Sequence, residues 1–267
     1  MINVSINNSD EIFSSLDLAR LKPKSSLYPK FWQNNDLNTI VSRKLMKIAD
    51  EIINSMEIEV DIDDIIITGS IASYNWHDLS DIDLHILFDF KKIDENYDLV
   101  KKMLDQSRIN WNKTHNITID GKEVELYFQD TNEEHMSKGM WSLMREKWIK
   151  EPKVEEVDID LSTTEKKAAS ISNSIDHVAE LFKDSKFQEA YDYASKLKLK
   201  ISRMRTTGLA KEGIYSPENL AFKILRNANL LNKLSSLKVQ SYDKIMSVTL
   251  ETKTKINFNK AWNTYLK

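Results

Sequence analysis

Cysteine is absent from this chain of 267 residues, and glycine and proline are scarce, with five and four copies. The absence of cysteine excludes disulfide bonds, thiolate metal sites and a cysteine nucleophile. The scarcity of glycine and proline argues against an all-β fold with many turns and favours helix. A hydrophobic fraction of 41% and a charged fraction of 30% are typical of a chain that folds around a core.

Long apolar segments are missing as well. No run approaches the roughly 18 residues that cross a bilayer. The first residues, MINVSINNSDEIF, lack the basic and then apolar order of a secretory signal. We therefore expect a soluble cytoplasmic protein without a membrane partner.

The chain is long enough for one large domain or two modest ones, at about 100–200 residues per domain. Residues 1–161 mix strand and helix signals and begin with a polar arm, whereas residues 162–267 carry helix signals alone. We therefore predict an α+β protein in which a mixed domain precedes an all-helical domain.

The first 161 residues contain five segments with clear secondary-structure signals. Helical spacing of apolar residues indicates two helices, β-branched or alternating residues indicate two strands, and the dipeptide Asp120-Gly121 indicates a tight hairpin turn. In chain order these segments are a helix from Ile40 to Met56, strands at 64–68 and 81–89, a helix at 95–114 and a hairpin at 116–130. The arm before them is expected to be irregular, with aromatic residues that pack onto the domain: Tyr28, Phe31 and Trp32.

Helix start signals recur in residues 162–267. The segment Ser162-Thr163-Thr164-Glu165 matches a capping box and predicts that a helix begins there. Apolar residues at helical spacing from Phe187 to Met204 predict a second helix. The third is expected to begin at Ser216-Pro217, because serine caps a helix and proline suits its first turn.

One segment, residues 67–90, combines the residue types of a phosphate-handling site. Gly69-Ser70 follows a buried strand, where a short helix could begin and where backbone N–H groups and the Ser70 hydroxyl could hold phosphate oxygens. Asp81 and Asp83 lie two residues apart on the next strand, so both carboxylates project from one face, about 7 Å apart at the backbone. Paired carboxylates of this kind bind hard cations, which predicts Mg²⁺, with Mn²⁺ as a substitute.

A third carboxylate is expected from a neighbouring strand. Glu125 fits, because it has an apolar residue on either side, and Glu123 is the alternative on the same strand face. His85 shares a face with the two aspartates and allows two interpretations, as a further metal ligand or as a residue that packs beside the site.

Gly69-Ser70 is followed by Ser80-Asp81-Ile82-Asp83-Leu84 and then by Glu125 on a later strand. This pattern resembles the nucleotidyltransferase superfamily that includes DNA polymerase β. The resemblance covers about residues 64–130. Two later segments, WSLMREKWIKEP and YSPENLAFKILR, are similar to parts of uncharacterised nucleotidyltransferases of bacterial viruses. Minimal and antibiotic-modifying members often carry arginine shortly after the glycine-serine pair, whereas this chain has Ile71-Ala72-Ser73 there.

The resemblance implies a polymerase β-like domain, which consists of a small mixed sheet with flanking helices. It also implies a nucleotidyl transfer reaction. That reaction moves a nucleoside monophosphate from a nucleoside triphosphate such as ATP to a hydroxyl acceptor and releases pyrophosphate. Asp81 and Asp83 are implied to bind two Mg²⁺ or Mn²⁺ ions, with Glu125 completing the set. An RNA or tRNA 3′ end, a protein hydroxyl and a small molecule remain open as acceptors, and a catalytically inactive nucleotide-binding module is the alternative to an enzyme.

The near-neutral net charge of −3 hides a strong asymmetry. Residues 163–267 hold 19 basic and 10 acidic side chains, whereas residues 1–162 hold 19 basic and 31 acidic ones. A basic second domain suits a polyanionic partner such as a triphosphate or RNA. Within a cluster of basic residues on one predicted helix, Lys198 and Arg203 are the candidates for contact with the triphosphate.

Overall fold

The computed structural model describes residues 21–56, 58–135 and 137–247. The described chain forms two compact units, which divide between Ile159 and Asp160. The first unit contains helices and a mixed β-sheet, and the second contains helices. The α+β class predicted from the sequence is therefore confirmed. Within the described ranges, no helix combines the length and the apolar character that crossing a bilayer requires.

The first unit is built on a six-stranded sheet with the strand order β5-β6-β4-β3-β7-β8. A separate two-stranded sheet, β1-β2, precedes it. The parallel pair is β4 with β6, and the other neighbouring strands are antiparallel. The strands are β1 Trp32–Gln33, β2 Asp36–Leu37, β3 Asp64–Thr68, β4 Ile82–Phe88, β5 Thr118–Ile119, β6 Lys122–Asp130, β7 Met140–Ser142 and β8 Lys147–Lys150.

The two central strands follow their sequence patterns. Every residue of β3 is buried, as its β-branched run predicts. In β4, buried and half-buried residues alternate, and Ile82, Leu84 and Ile86 are fully buried. Because successive side chains of a strand point to opposite faces, this core places the polar residues of β4 together on the other face.

Over its described residues, the first unit contains two α-helices, α1 at Thr39–Ser55 and α2 at Tyr97–Thr114, and a short 3₁₀ helix at Phe90–Lys92. Both α-helices were predicted, but Ile40 is 64% exposed and lies off the buried face of α1. The buried face is formed by residues separated by three or four positions: Val41, Leu45, Ala49 and Ile52. Ile40 lies in the first turn, where its backbone N–H donates to the side chain of the N-cap residue Asn38.

The described part of the predicted arm, residues 21–35, contributes to the core. Phe31 and Trp32 are buried, and the Trp32 indole N–H donates to the carbonyl of Ile71 over 2.8 Å. The arm is not wholly irregular, because its end forms the short hairpin β1-β2. Residues 1–20 of the predicted arm lie outside the described residues.

The predicted turn at Asp120-Gly121 joins β5 to β6. Both residues have positive φ, 50° for Asp120 and 75° for Gly121, as a tight two-residue hairpin turn requires. The Asp120 carboxylate also accepts hydrogen bonds from the Tyr28 hydroxyl, over 2.8 Å, and from Lys30, over 3.1 Å. The hairpin expected from the sequence is confirmed.

The second unit, over its described residues, consists of four α-helices: α3 Leu161–Lys183, α4 Phe187–Glu212, α5 Pro217–Asn227 and α6 Leu230–Met246. The predicted Ser162 cap of α3 is wrong, because the Asp160 carboxylate accepts the N–H of Thr163 over 2.9 Å and places Ser162 inside the first turn. The predicted cap of α5 is confirmed, since the Ser216 hydroxyl accepts the N–H of Asn219.

Strand β6 extends past the short strand β5, and α2 covers the edge that is left. The Asn112 side chain donates to the carbonyl of Leu126 and accepts the N–H of Leu126, each over 3.1 Å. The amide of one side chain thus replaces a neighbouring strand at this position, which satisfies two backbone groups that strand pairing leaves open.

Replacing Asn112 with alanine should therefore lower the free energy of unfolding by about 1–3 kcal/mol, because a partly buried donor and acceptor lose their partners. The matched control is Asn110→Ala, a change of the same type at an exposed position of the same helix. Urea denaturation of both variants measures the difference. Equal stability of the two variants would show that the Asn112 amide does not protect the edge.

Candidate metal centre

Three carboxylates gather where β4 and β6 begin. Asp81 directly precedes β4, Asp83 is the second residue of β4, and Glu125 lies on β6. The parallel register places Glu125 directly beside Asp83. Each of the three offers one oxygen, these oxygens all lie within 4.8 Å of one another, and all three residues are half-buried. The structure thus brings together the three carboxylates that the sequence pattern singles out.

The local sequence explains why these carboxylates share one face. Asp81 and Asp83 flank Ile82, and Glu125 lies between Val124 and Leu126. Those three apolar residues are buried in the core of the first unit. Because side chains alternate along a strand, burying them turns the carboxylates to the opposite face.

Strand register distinguishes Glu125 from Glu123, the other glutamate on that face of β6. Glu123 lies opposite Thr118 of β5, is exposed and does not belong to the carboxylate cluster. Glu125 lies opposite Asp83. The sequence alone does not decide between Glu123 and Glu125 as the third carboxylate. That choice depends on the pairing of β4 with β6, whose paired residues lie about 40 positions apart in the chain.

Gly69, at the end of β3, allows the close approach of Asp83. Its φ is +76°, and a Cβ atom at this position would lie 1.8 Å from Oδ2 of Asp83 and 2.8 Å from Cγ. Glycine is therefore required both by the backbone conformation and by the space that the carboxylate occupies. The Gly69 N–H donates to the Ser137 hydroxyl over 3.3 Å, which ties this turn to the segment before β7.

The loop after Gly69 is a series of turns, and no helix begins at Ser70. The carbonyl of Ser70 accepts the N–H of Ser73 over 3.1 Å, and the chain then turns again. The expected helix start is therefore wrong. Instead, the Ser70 hydroxyl donates to the buried Ser80 hydroxyl over 2.7 Å, and that oxygen accepts the N–H of His77 over 2.9 Å. These bonds join the two ends of the loop.

Lys122 fixes the same loop from β6, a role that the residue pattern does not indicate. It is 4% exposed, and its ammonium donates to the carbonyls of His77 and Asp78. Burial lowers the pKa of Lys122, while Asp78 and Asp120 act in the opposite direction. A lysine held in this way anchors the segment that leads into the carboxylates.

Tyr127 is a second neighbour of the site that was not predicted. Its hydroxyl donates to Oε2 of Glu125 over 2.5 Å. Burial, together with the charges of Asp83 and Glu125, raises the pKa of Tyr127 above its ordinary value, so the hydroxyl stays protonated. The sequence indicates this neighbour only through the alternation of side chains along β6, which puts residue 127 on the same face as Glu125.

His85 lies opposite Tyr127, one step further along the same pair of strands. Nδ1 of His85 is 2.9 Å from Oε1 of Gln129, and the ring stacks on Tyr127. Burial, with a smaller effect of His135, lowers the pKa of His85 to about 4, so the imidazole is neutral at neutral pH. His85 is not part of the carboxylate cluster, which favours the interpretation of packing beside the site.

The two basic residues proposed for the triphosphate lie on α4 in the second unit. Lys198 donates to the Ser235 hydroxyl over 2.9 Å and lines a cavity of about 460 Å³. Arg203 lines a different cavity of about 540 Å³. Five residues correspond to about 140° around a helix, so the two side chains leave α4 in different directions.

No protein-family model, curated protein or solved structure matches the chain.

Substituting Gly69 with alanine should displace the Asp83 carboxylate and weaken Mn²⁺ binding by about 10-fold or more, the usual effect of disturbing the support of a metal ligand. Gly121→Ala is the control, because Gly121 also has positive φ, +75°, but a Cβ atom there meets nothing within 4 Å. In both variants the free energy of unfolding should fall by about 1–2 kcal/mol, because alanine tolerates a positive φ less well than glycine does. Mn²⁺ titration by electron paramagnetic resonance separates them, and equal Mn²⁺ affinities would contradict the role of Gly69.

Proposed function

We propose that this protein is a metal-dependent nucleotidyltransferase with a polymerase β-like catalytic domain. The observation that carries the proposal is the grouping of Asp81, Asp83 and Glu125 beside the Gly69-Ser70 turn. The mixed sheet with flanking helices, in which β4 and β6 run parallel and β3 antiparallel to them, supports a fold of that type.

The donor set fits Mg²⁺ or Mn²⁺. Three carboxylates supply hard oxygen ligands, and their spacing of at most 4.8 Å is close to twice a metal–oxygen bond of about 2.0–2.6 Å. Carboxylates held so near one another repel, and a divalent cation between them removes that repulsion. Asp81 and Asp83 would hold the metal ions, and Glu125 would complete the set.

The chemistry assigned to this site needs few protein groups. Bound divalent ions supply charge neutralisation for a triphosphate and lower the pKa of an attacking hydroxyl. The protein's own residues hold the carboxylates in place: β4 fixes Asp83, β6 fixes Glu125, and Gly69 leaves room for the Asp83 oxygens. Transfer of this kind depends mainly on positioning and on the stabilisation of charge. The rigid strands supply much of that positioning.

The loop between β3 and β4 is the part of the site suited to the phosphates. It begins at Gly69-Ser70 next to Asp83, and its far end is held by Ser80 and Lys122. Hydrogen bonds at both ends limit its motion, so a polyphosphate at the carboxylates would meet a preformed rim. The acceptor we propose is an RNA 3′ end, supported by the excess of basic residues in 163–267.

Asp83→Asn should reduce nucleotidyl transfer by about 100-fold or more, because it removes a charge at the centre of the metal site while preserving side-chain size. Glu125→Gln should reduce it strongly as well, whereas Glu123→Gln is the matched control and should leave it unchanged. Each variant is incubated with Mg²⁺ and α-labelled nucleoside triphosphates, together with an RNA fraction or a protein fraction.

Label in the RNA fraction supports the proposed acceptor, and label in the protein fraction replaces it with a protein hydroxyl. Undiminished transfer by Asp83→Asn would overturn the assignment of the site. Nucleotide binding without any transfer by the wild-type chain would favour a catalytically inactive binding module.

A further inference from the structure

We infer that Tyr127 is a positioning residue that fixes the orientation of the Glu125 carboxylate within the metal centre. This inference rests on the proposed function, because it takes Glu125 as a metal ligand. The Tyr127 hydroxyl donates to Oε2 of Glu125 over 2.5 Å. A hydrogen bond to one carboxylate oxygen restricts rotation about the terminal bond of the glutamate side chain and so determines where the other oxygen points.

The ring of Tyr127 is itself held by two other elements. His85 of β4 stacks on it, with ring centroids 4.8 Å apart and an interplanar angle of 22°. The guanidinium carbon of Arg108, on α2, lies 5.0 Å from the ring centroid. Contacts from a strand and from a helix leave the ring little freedom, so its hydroxyl is a donor at a fixed place.

Glu125 is the ligand with the greatest need of such support. Glutamate has one more rotatable bond than aspartate, and ordering a long side chain costs conformational entropy when a ligand binds. A lysine or arginine partner would orient the carboxylate but would also neutralise it and compete with a cation. A tyrosine hydroxyl orients the carboxylate and leaves its charge available to a metal ion.

The chain offers a matched control for this pair. Tyr97 donates from its hydroxyl to Oε1 of Glu133 over 2.7 Å, in the same unit of the protein. Glu133 is not a member of the carboxylate cluster. Tyr97→Phe therefore removes the same kind of hydrogen bond without touching the metal centre.

The test measures Mn²⁺ affinity of the full chain by isothermal titration calorimetry, with the melting temperature as a readout of structure. Tyr127→Phe should weaken Mn²⁺ binding by about 10-fold or more, which is the usual effect of removing a hydrogen-bond partner of a metal ligand. Tyr97→Phe should bind Mn²⁺ as the wild type does. In the Glu125→Gln background, adding Tyr127→Phe should cause no further loss, because the carboxylate that Tyr127 orients is gone.

Wild-type Mn²⁺ affinity in Tyr127→Phe would overturn the inference, and so would an equal loss in the Glu125→Gln background, since Tyr127 would then act through general structure. A wild-type chain that does not bind Mn²⁺ would overturn both this inference and the metal centre. Mn²⁺ binding that depends on Tyr127 in a chain without transfer activity would refute only the proposed function and would uphold the role of Tyr127.

Discussion

The parallel pairing of β4 with β6 is the contact on which the candidate site depends. In this register Asp83 lies beside Glu125, and His85 lies beside Tyr127. A shift of one residue would turn each of these side chains towards the core and bring apolar residues to the opposite face. The fully buried residues Ile82, Leu84 and Leu126 resist that shift, because their transfer to water is unfavourable. The hydrophobic core thus determines which carboxylates meet.

Around this pairing, polar contacts hold the loops that frame the carboxylates. Gly69 brings the end of β3 against Asp83, and Lys122 holds the loop that leads into β4. These contacts come from three different strands of one sheet. A site supported in this way has little freedom to reorganise, which suits chemistry that depends on the placement of charge.

The sequence predicts much of this arrangement where the signal is local. The buried run of β3, the alternation of β4 and the turn at Asp120-Gly121 are each encoded within a few neighbouring residues. Helix α6 was not predicted, because only Ala228 and Asn229 separate it from α5 and neither glycine nor proline marks the boundary. Lys122 could not be predicted either, since its partners are carbonyls about 45 positions away in the chain.

The cluster of Asp81, Asp83 and Glu125 brings like charges close together. One oxygen of each carboxylate lies within 4.8 Å of the others, and like charges at this distance repel one another. Gly69 leaves room for the Asp83 carboxylate, and the Tyr127 hydroxyl stabilises the Glu125 carboxylate by donating a hydrogen bond to it. Under the proposed function, a divalent cation between the carboxylates would offset their repulsion, and these two contacts would keep the ligand oxygens in place.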